Sequence, residues 1–313
     1  MKYAAMSAWI ATVAAALATG AAAPAVGDLH LTYDFAAAKR QEPYRLYVPR
    51  SYDGLRPYPL IVILHGSGAD ENAPFEHSAL RGMAEERGYI LLCPLGYGNF
   101  GAYGDLYPVV VTREMRAQGD ALRKMVEAGA TKYPHSVLPA EKPVPPDDYA
   151  EMPAADLVDP RTAALSEADV MNVLERVRKA YRIDPSRIYL MGNSMGGVGT
   201  LYLGVRYPGI WAALAPSGGP VAAWSYPFER LRQGHIALLL IHGERDSHSN
   251  PRASRALLEA ARAEHVEASL LIVKGADHEH AWREVLPQTF DFFDRHRKPE
   301  AGAGREHPEE DPR

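Results

Sequence analysis

Short apolar blocks recur along the chain, each closed by a turn. They are Tyr58–Leu64, Tyr89–Cys93, Arg187–Met191, Trp211–Ala215, Ile236–Ile241 and Ala268–Val273. A nearly continuous apolar run suits a strand buried on both faces, as in a parallel sheet. Leu29–Phe35 and Tyr44–Val48 alternate only partly, and the first reads as an edge strand. Helical spacing appears between these blocks. Asn72–Arg87 is stopped by Gly88. Ser166–Tyr181 carries Val170, Val173, Leu174 and Val177 on one face, with Ser166 as its cap. Gly196–Tyr207, Pro251–His265 and Glu279–His296 follow. Strands alternating with helices predict an α/β fold, with a mostly parallel central sheet and helices on both faces.

The rhythm breaks between residues 105 and 165. Thr112–Ala128 has helical character, and Pro134–Pro160 is proline-rich and extended. An interruption of this length reads as a lid or pocket wall. Residues 297–313 are polar, rich in Pro, Gly and Glu, and read as a disordered tail. At the other end, Lys2 is followed by no charged residue before Asp28, an apolar run spans Ala8–Ala18, and Ala23-Pro24-Ala25 closes it. This is the build of a secretory signal over residues 1–25, cut after Ala25, and it places the protein in a secreted or periplasmic setting. An uncleaved anchor is the rival, but the alanine-rich run is weakly apolar, so no stable membrane insertion is expected once the signal is gone. The folded domain then spans 28–296.

Composition narrows the function. The chain of 313 residues is 47% hydrophobic, enough for a large core, with a formal net charge of -5. It has no long basic run, which argues against nucleic acid or an anionic membrane as partner. Cys93 is the only cysteine, so no internal disulfide forms, and its apolar setting marks it as a small buried hydrophobe rather than a nucleophile.

The chemistry gathers at Gly192-Asn193-Ser194-Met195-Gly196. This G-x-S-x-G pattern follows an apolar strand and opens a helix, as a strained nucleophile turn requires. Glycines two positions either side of Ser194 remove side chains that would collide at so sharp a bend. A plain strand-to-helix turn can carry the same letters, but the upstream His65-Gly66-Ser67-Gly68 loop favours the nucleophile. A serine needs a base, and the base needs an orienting carboxylate. Asp246, just past the Ile236–Ile241 strand, is the candidate acid, with Glu244 as substitute. His278, after the Ala268–Val273 strand, is the candidate base, with His280 as runner-up. Asp246, not the adjacent Asp277, is expected to bond the imidazole. Backbone N–H groups of Met195 and Ser67 are the expected oxyanion donors, and His65 reads as structural. Tyr97, Phe100 and Trp282 are candidates for a substrate pocket, with Tyr103, Trp224 and Tyr226 behind them. His242, His248, His278 and His280 lack tight metal-ligand spacing, so the chemistry is expected to need no metal and no cofactor.

Taken together, Leu64–Gly68, Ala168–Val170, Ile183–Arg187, Gly192–Gly197, His242–Asp246 and Gly275–His278 resemble the α/β-hydrolase superfamily. They are most similar to secreted esterases of the polyhydroxybutyrate depolymerase, feruloyl esterase and predicted peptidase type. The resemblance covers roughly residues 40–295. It implies a serine hydrolase that cleaves small or oligomeric carboxylic esters through an acyl-enzyme. A serine peptidase and a non-catalytic binding protein on the same fold are the alternatives.

Overall fold

The β3 block, Tyr58–Leu64, is apolar at every position because both of its faces are covered. Leu60, Val62 and Leu64 point to one core cluster, and Ile61 and Ile63 to another on the opposite face. The coordinates, a computed structural model, describe residues 25–104, 107–113, 149–152, 158–219 and 221–299.

Among the described residues, one sheet of eight strands runs in the order β1-β2-β4-β3-β7-β8-β9-β10. Its strands are β1 (Gly27–Phe35), β2 (Arg40–Val48), β3, β4 (Ile90–Pro94), β7 (Ile183–Asn193), β8 (Ala213–Ser217), β9 (Ala237–Gly243) and β10 (Ala268–Val273). The β1–β2 hairpin pairs antiparallel and joins β4 antiparallel, and the rest of the sheet is parallel. On one face lie α2 (Pro160–Ala180), α3 (Met195–Arg206) and α5 (Pro251–Ala263). Their residues Val170, Val173, Leu201 and Leu257 join Leu60, Leu190 and Leu238 in the first cluster. The other face holds α1 (Ser78–Arg87), α6 (Ala281–Glu284) and α7 (Leu286–Arg295), through Leu80, Trp282, Phe290 and Phe293. A short α4 (Phe228–Gln233) precedes β9. Cys93 is fully buried in the second cluster, and burial pushes its thiol pKa well up. No helix among the described residues is long and apolar enough to cross a membrane.

Three elements differ from the sequence reading. The helix expected from Ser166 begins at Pro160. Asp159 caps it, accepting from the Arg161 and Thr162 N–H groups, and Ser166 is buried inside it. The interruption expected to reach residue 165 therefore ends before the helix. The helix expected over Glu279–His296 is two, α6 and α7, because Pro287 at the start of α7 has no N–H to continue the ladder. Asn72–Arg87 likewise starts as a 3-10 turn, Ala73–Glu76, separated from α1 by an extended His77.

Within 105–165, β5 (Val109–Thr112) and β6 (Tyr149–Met152) form an antiparallel ribbon, so the extended segment contains a strand. Val109 bridges Val221, and Ala222 N–H donates to Pro108 O at 2.8 Å, which ties the ribbon to the loop after β8. The body of the Thr112–Ala128 helix, the 1–25 signal save Ala25, and the tail from residue 300 lie outside the described residues.

The loops after β3 and β4 are held together from α2. The Asp169 carboxylate accepts from Tyr33 O–H (2.7 Å), Gly96 N–H (2.7 Å) and Tyr97 N–H (3.3 Å). Ser166 Oγ donates to Gly96 O (2.6 Å) and accepts from Tyr103 N–H (2.9 Å). That β4 loop in turn grips the β3 loop, since Gly68 N–H donates to Asn99 O (2.8 Å) and Tyr103 O–H to His65 O (3.1 Å).

Burial pushes the Asp169 pKa up to about 6, although Tyr33, Gly96 and Tyr97 donate to it. Its folded pKa thus lies above the ordinary carboxylate value. Its contribution to stability is full below about pH 4 and falls as pH rises through 6. Asp169→Asn keeps the shape but cannot accept from all three donors. It is expected to destabilise by about 1–3 kcal/mol. Urea unfolding should show the loss largest near pH 4 and smaller at pH 7.

Candidate active site

The site forms at the carboxyl ends of the parallel strands, where open α/β sheets place ligands. Ser194 connects β7 directly to α3. Its backbone lies at φ 58° and ψ -119°, a region that non-glycine residues rarely occupy. Its N–H donates to Ser217 O at 2.9 Å, and its carbonyl receives Val198 N–H at 3.0 Å. The flanking glycines are sterically required. A Cβ on Gly196 would stand 2.1 Å from Leu64 O, and one on Gly192 would stand 2.5 Å from Gly196 O and 2.8 Å from Leu64 O. Gly197 is crowded in the same way by Ser217 O, at 2.4 Å. The bend is thus wedged between the ends of β3 and β8.

Met195 opens α3, so its N–H is among those that helix geometry leaves without an intrahelical acceptor. The loop after β3 approaches from the other side. A Cβ on Gly66 would lie 3.5 Å from both Asn193 O and Ser194 Cβ. Ser67, next in the chain, is exposed. His65 is buried and bridges two carbonyls, Gly66 O from Nδ1 and Leu95 O from Nε2, both at 2.8 Å. Burial lowers its pKa, so it stays neutral and structural.

Asp246 and His278 meet across the β9 and β10 loops. His278 Nδ1–H donates to Asp246 Oδ2 at 2.7 Å. An ionised carboxylate can only accept, so the proton at this contact sits on Nδ1, and Nε2 is the ring nitrogen turned away from Asp246. The ring lies over Gly218, where a Cβ would stand 2.9 Å from His278 Cε1. Gly218 follows Ser217, the residue whose carbonyl holds Ser194. Of the alternatives weighed from sequence, Glu244 is exposed and accepts from Gly275 N–H (2.9 Å). His280 is also exposed and is tied to Asp277 at 2.6 Å. Neither faces the Asp246–His278 pair.

Asp246 is more elaborately held than its sequence context suggested. Oδ1 accepts from His248 N–H (2.8 Å) and Ser249 N–H (2.9 Å), while Oδ2 also receives Ser249 O–H (2.9 Å) and faces His242 Nε2 at 3.1 Å. Burial raises its pKa, but His278 and His242 outweigh that and hold it well below the usual carboxylate range. His242 is anchored by Ser254 Oγ, 2.7 Å from Nδ1. His248 stacks on His278 with ring centroids 4.6 Å apart. Burial, with the His278 charge beside it, pushes the His248 pKa down to about 4, so this ring is neutral. Reading along the chain missed this supporting role of His242, His248 and Ser249. The available signal was three polar residues crowding the acid in Asp246-Ser-His-Ser249. Asp246, His248 and His278 each also offer a ligand atom, all within 4.8 Å of one another.

The pocket candidates separate. Phe100 lies beside the β3 loop, 3.5 Å from where a Gly68 Cβ would stand. Tyr97 points elsewhere, edge-on to Phe35 and under the Arg40 guanidinium at 4.3 Å. Trp282 is 6% exposed and packs edge-on to His77 in the second core cluster. Tyr103 and Tyr226 are buried with their hydroxyls on backbone carbonyls, whereas Trp224 is 72% exposed.

Gly196→Ala is expected to be far less stable than a surface change, by about 3 kcal/mol or more, since the β3 carbonyl cannot retreat from the sheet. Thermal unfolding of the purified variant measures it.

Comparison with known proteins bears on the same elements. Residues 162–307, from α2 through α7, match the family described as "Putative esterase". No curated protein matches the chain. Among solved structures, a thermostable esterase aligns at 18% identity and a TM-score of 0.58. The alignment covers 87% of this chain and 63% of the esterase, so the chain spans under two thirds of that relative. Serine hydrolase F of Staphylococcus aureus, described as fluorophosphonate-binding, aligns at 12% identity over 85% of this chain and 98% of its own, with a TM-score of 0.58. A ferulic acid esterase aligns at 14% identity over 86% and 98%, also at 0.58. At such identities the likeness concerns the fold. The chain therefore shares the mostly parallel α/β fold of these hydrolases, and residues 162–307 match the esterase family's sequence pattern.

Proposed function

We propose that the protein is a serine hydrolase of carboxylic esters, working through an acyl-enzyme. The observation that supports this reading is a strained, glycine-flanked serine whose N–H is held by Ser217 O, next to Gly218, over which a buried, hydrogen-bonded Asp246–His278 pair lies. The family pattern over residues 162–307 agrees with it. In this mechanism Ser194 Oγ attacks the ester carbonyl carbon as His278 Nε2 takes the hydroxyl proton. Asp246, kept ionised, orients the ring through Nδ1 and stabilises the imidazolium. The oxyanion is held by the N–H groups of Met195 and Ser67. Collapse breaks the ester C–O bond, and His278 gives its proton to the leaving alcohol. Water then attacks the acyl-serine by the same relay and releases the acid.

The substrate proposed is a small or oligomeric soluble ester, with Phe100, beside the β3 loop, as the aromatic side chain nearest the expected oxyanion loop among the pocket candidates. From the features of residues 1–25 we also infer export. Protein recovered after processing is expected to begin at Val26, which intact mass determines.

Wild-type protein is expected to hydrolyse p-nitrophenyl esters and to be labelled by a fluorophosphonate probe. Ser194→Ala should abolish labelling and lower kcat by roughly 10⁴-fold or more. Asp246→Asn should lower kcat by roughly 10⁴-fold with KM little changed, because the amide favours the wrong tautomer. Gly218→Ala should displace the His278 ring and cost roughly 10²-fold in kcat. Unlabelled wild type would favour a binding protein, and cleavage of aminoacyl-arylamides with esters untouched would favour a peptidase.

A further inference from the structure

The groups beside Ser194 contain a histidine that ester hydrolysis does not use. His248 is 7% exposed, and its Nε2 is buried without a hydrogen-bond partner among the described residues. A buried imidazole nitrogen in that state is uncommon, since burying a polar atom unpaired is costly. His242, by contrast, has both ring nitrogens engaged, by Ser254 Oγ and by Ser249 and Asp246. His248 stacks directly on His278, and Asp246, His248 and His278 present ligand atoms within 4.8 Å of one another. Two imidazoles and one carboxylate are a donor set that suits zinc and its neighbours in the transition series, with a fourth position left open. Tetrahedral zinc at about 2.0–2.1 Å from each ligand needs ligand atoms about 3.3 Å apart. The cluster has to close by about 1.5 Å at most to reach that spacing.

We propose that Asp246, His248 and His278 form a binding site for a divalent transition cation such as Zn²⁺, and that occupancy switches the hydrolase off. The inhibitory part rests on the serine hydrolase reading, whereas the binding part does not. Coordination through either nitrogen of His278 removes the base. If the cation takes Nε2, it uses the lone pair that must accept the serine proton. If it takes Nδ1, the proton there moves to Nε2, which can then no longer accept one. Only a proton moves, no bond between heavy atoms of the protein is broken and no electron is transferred, so the inhibition reverses when the cation is withdrawn.

The test uses full-length protein stripped with a chelator and dialysed against Zn²⁺. The sequence has 12 histidines, so the readout is the tight equivalent that disappears on substitution. Wild type and Ser194→Ala are expected to bind that equivalent alike. His248→Phe and His248→Gln should each weaken it at least tenfold, the second variant covering a failure of the first to fold. X-ray absorption of the bound zinc should show imidazole nitrogen and oxygen neighbours. Fluorophosphonate labelling of wild type should slow at least tenfold with zinc and recover with chelator, while labelling of the His248 variants should change little with zinc. Absence of tight zinc in wild type, its persistence in both His248 variants, or undiminished labelling with zinc bound would overturn the proposal. Failure of the hydrolase reading is separate, because it would appear as no labelling in metal-free wild type.

Discussion

The structure turns on a close approach of backbone to backbone at the end of β7. Ser194 sits at φ 58° and ψ -119°, and Leu64 O lies so near the flanking glycines that neither tolerates a Cβ. Strain of this kind persists only where the surroundings over-determine it. Here β3 and β8 flank β7 in parallel register, Ser217 O takes the serine N–H, and α3 begins at the next residue. The apolar strands buried on both faces are what hold those chain ends rigid enough to impose the bend. Fold and site are therefore one mechanical object.

Electrostatics supply the second layer. A carboxylate buried as deeply as Asp246 would ordinarily gain a proton. Two backbone N–H groups, the Ser249 hydroxyl and two histidine rings reverse that, so the group stays charged and aligns His278. The same crowding stacks His248 on His278 and leaves the His248 Nε2 without a hydrogen-bond partner among the described residues. On the opposite side, α2 steadies the β3 loop at one remove: Asp169 and Ser166 hold the 96–103 loop, which holds Gly68 and His65.

The α/β architecture was legible because local physics announces it. An all-apolar run such as Leu60–Leu64 has few homes besides a doubly covered strand, and Gly192-x-Ser-x-Gly196 has a steric logic that can be stated before any coordinate is known. The ordering of Ser194, Asp246 and His278 after successive strands followed from the same pattern. Where local signals mislead, a stronger local or tertiary term wins. Ser166 looked like a cap, yet Asp159-Pro160 starts the helix nearly two turns earlier and frees the Ser166 hydroxyl to grip the Gly96 loop. Pro287 divides a helix that amphipathic spacing alone would have continued.

By itself, then, the chain's pattern determined which segments become buried strands, where the strained serine falls, and which loops carry an acid and a base, because period, glycine placement and chain order are local properties. Only tertiary structure decided that Asp246 rather than Glu244 or Asp277 meets His278, that Tyr97 packs against Phe35 and Trp282 against His77 while Phe100 lies beside the β3 loop, and that His242 and His248 crowd the acid. Those outcomes depend on which side chains converge from loops far apart in sequence, and convergence is set by the packing of whole strands and helices, which no local pattern contains.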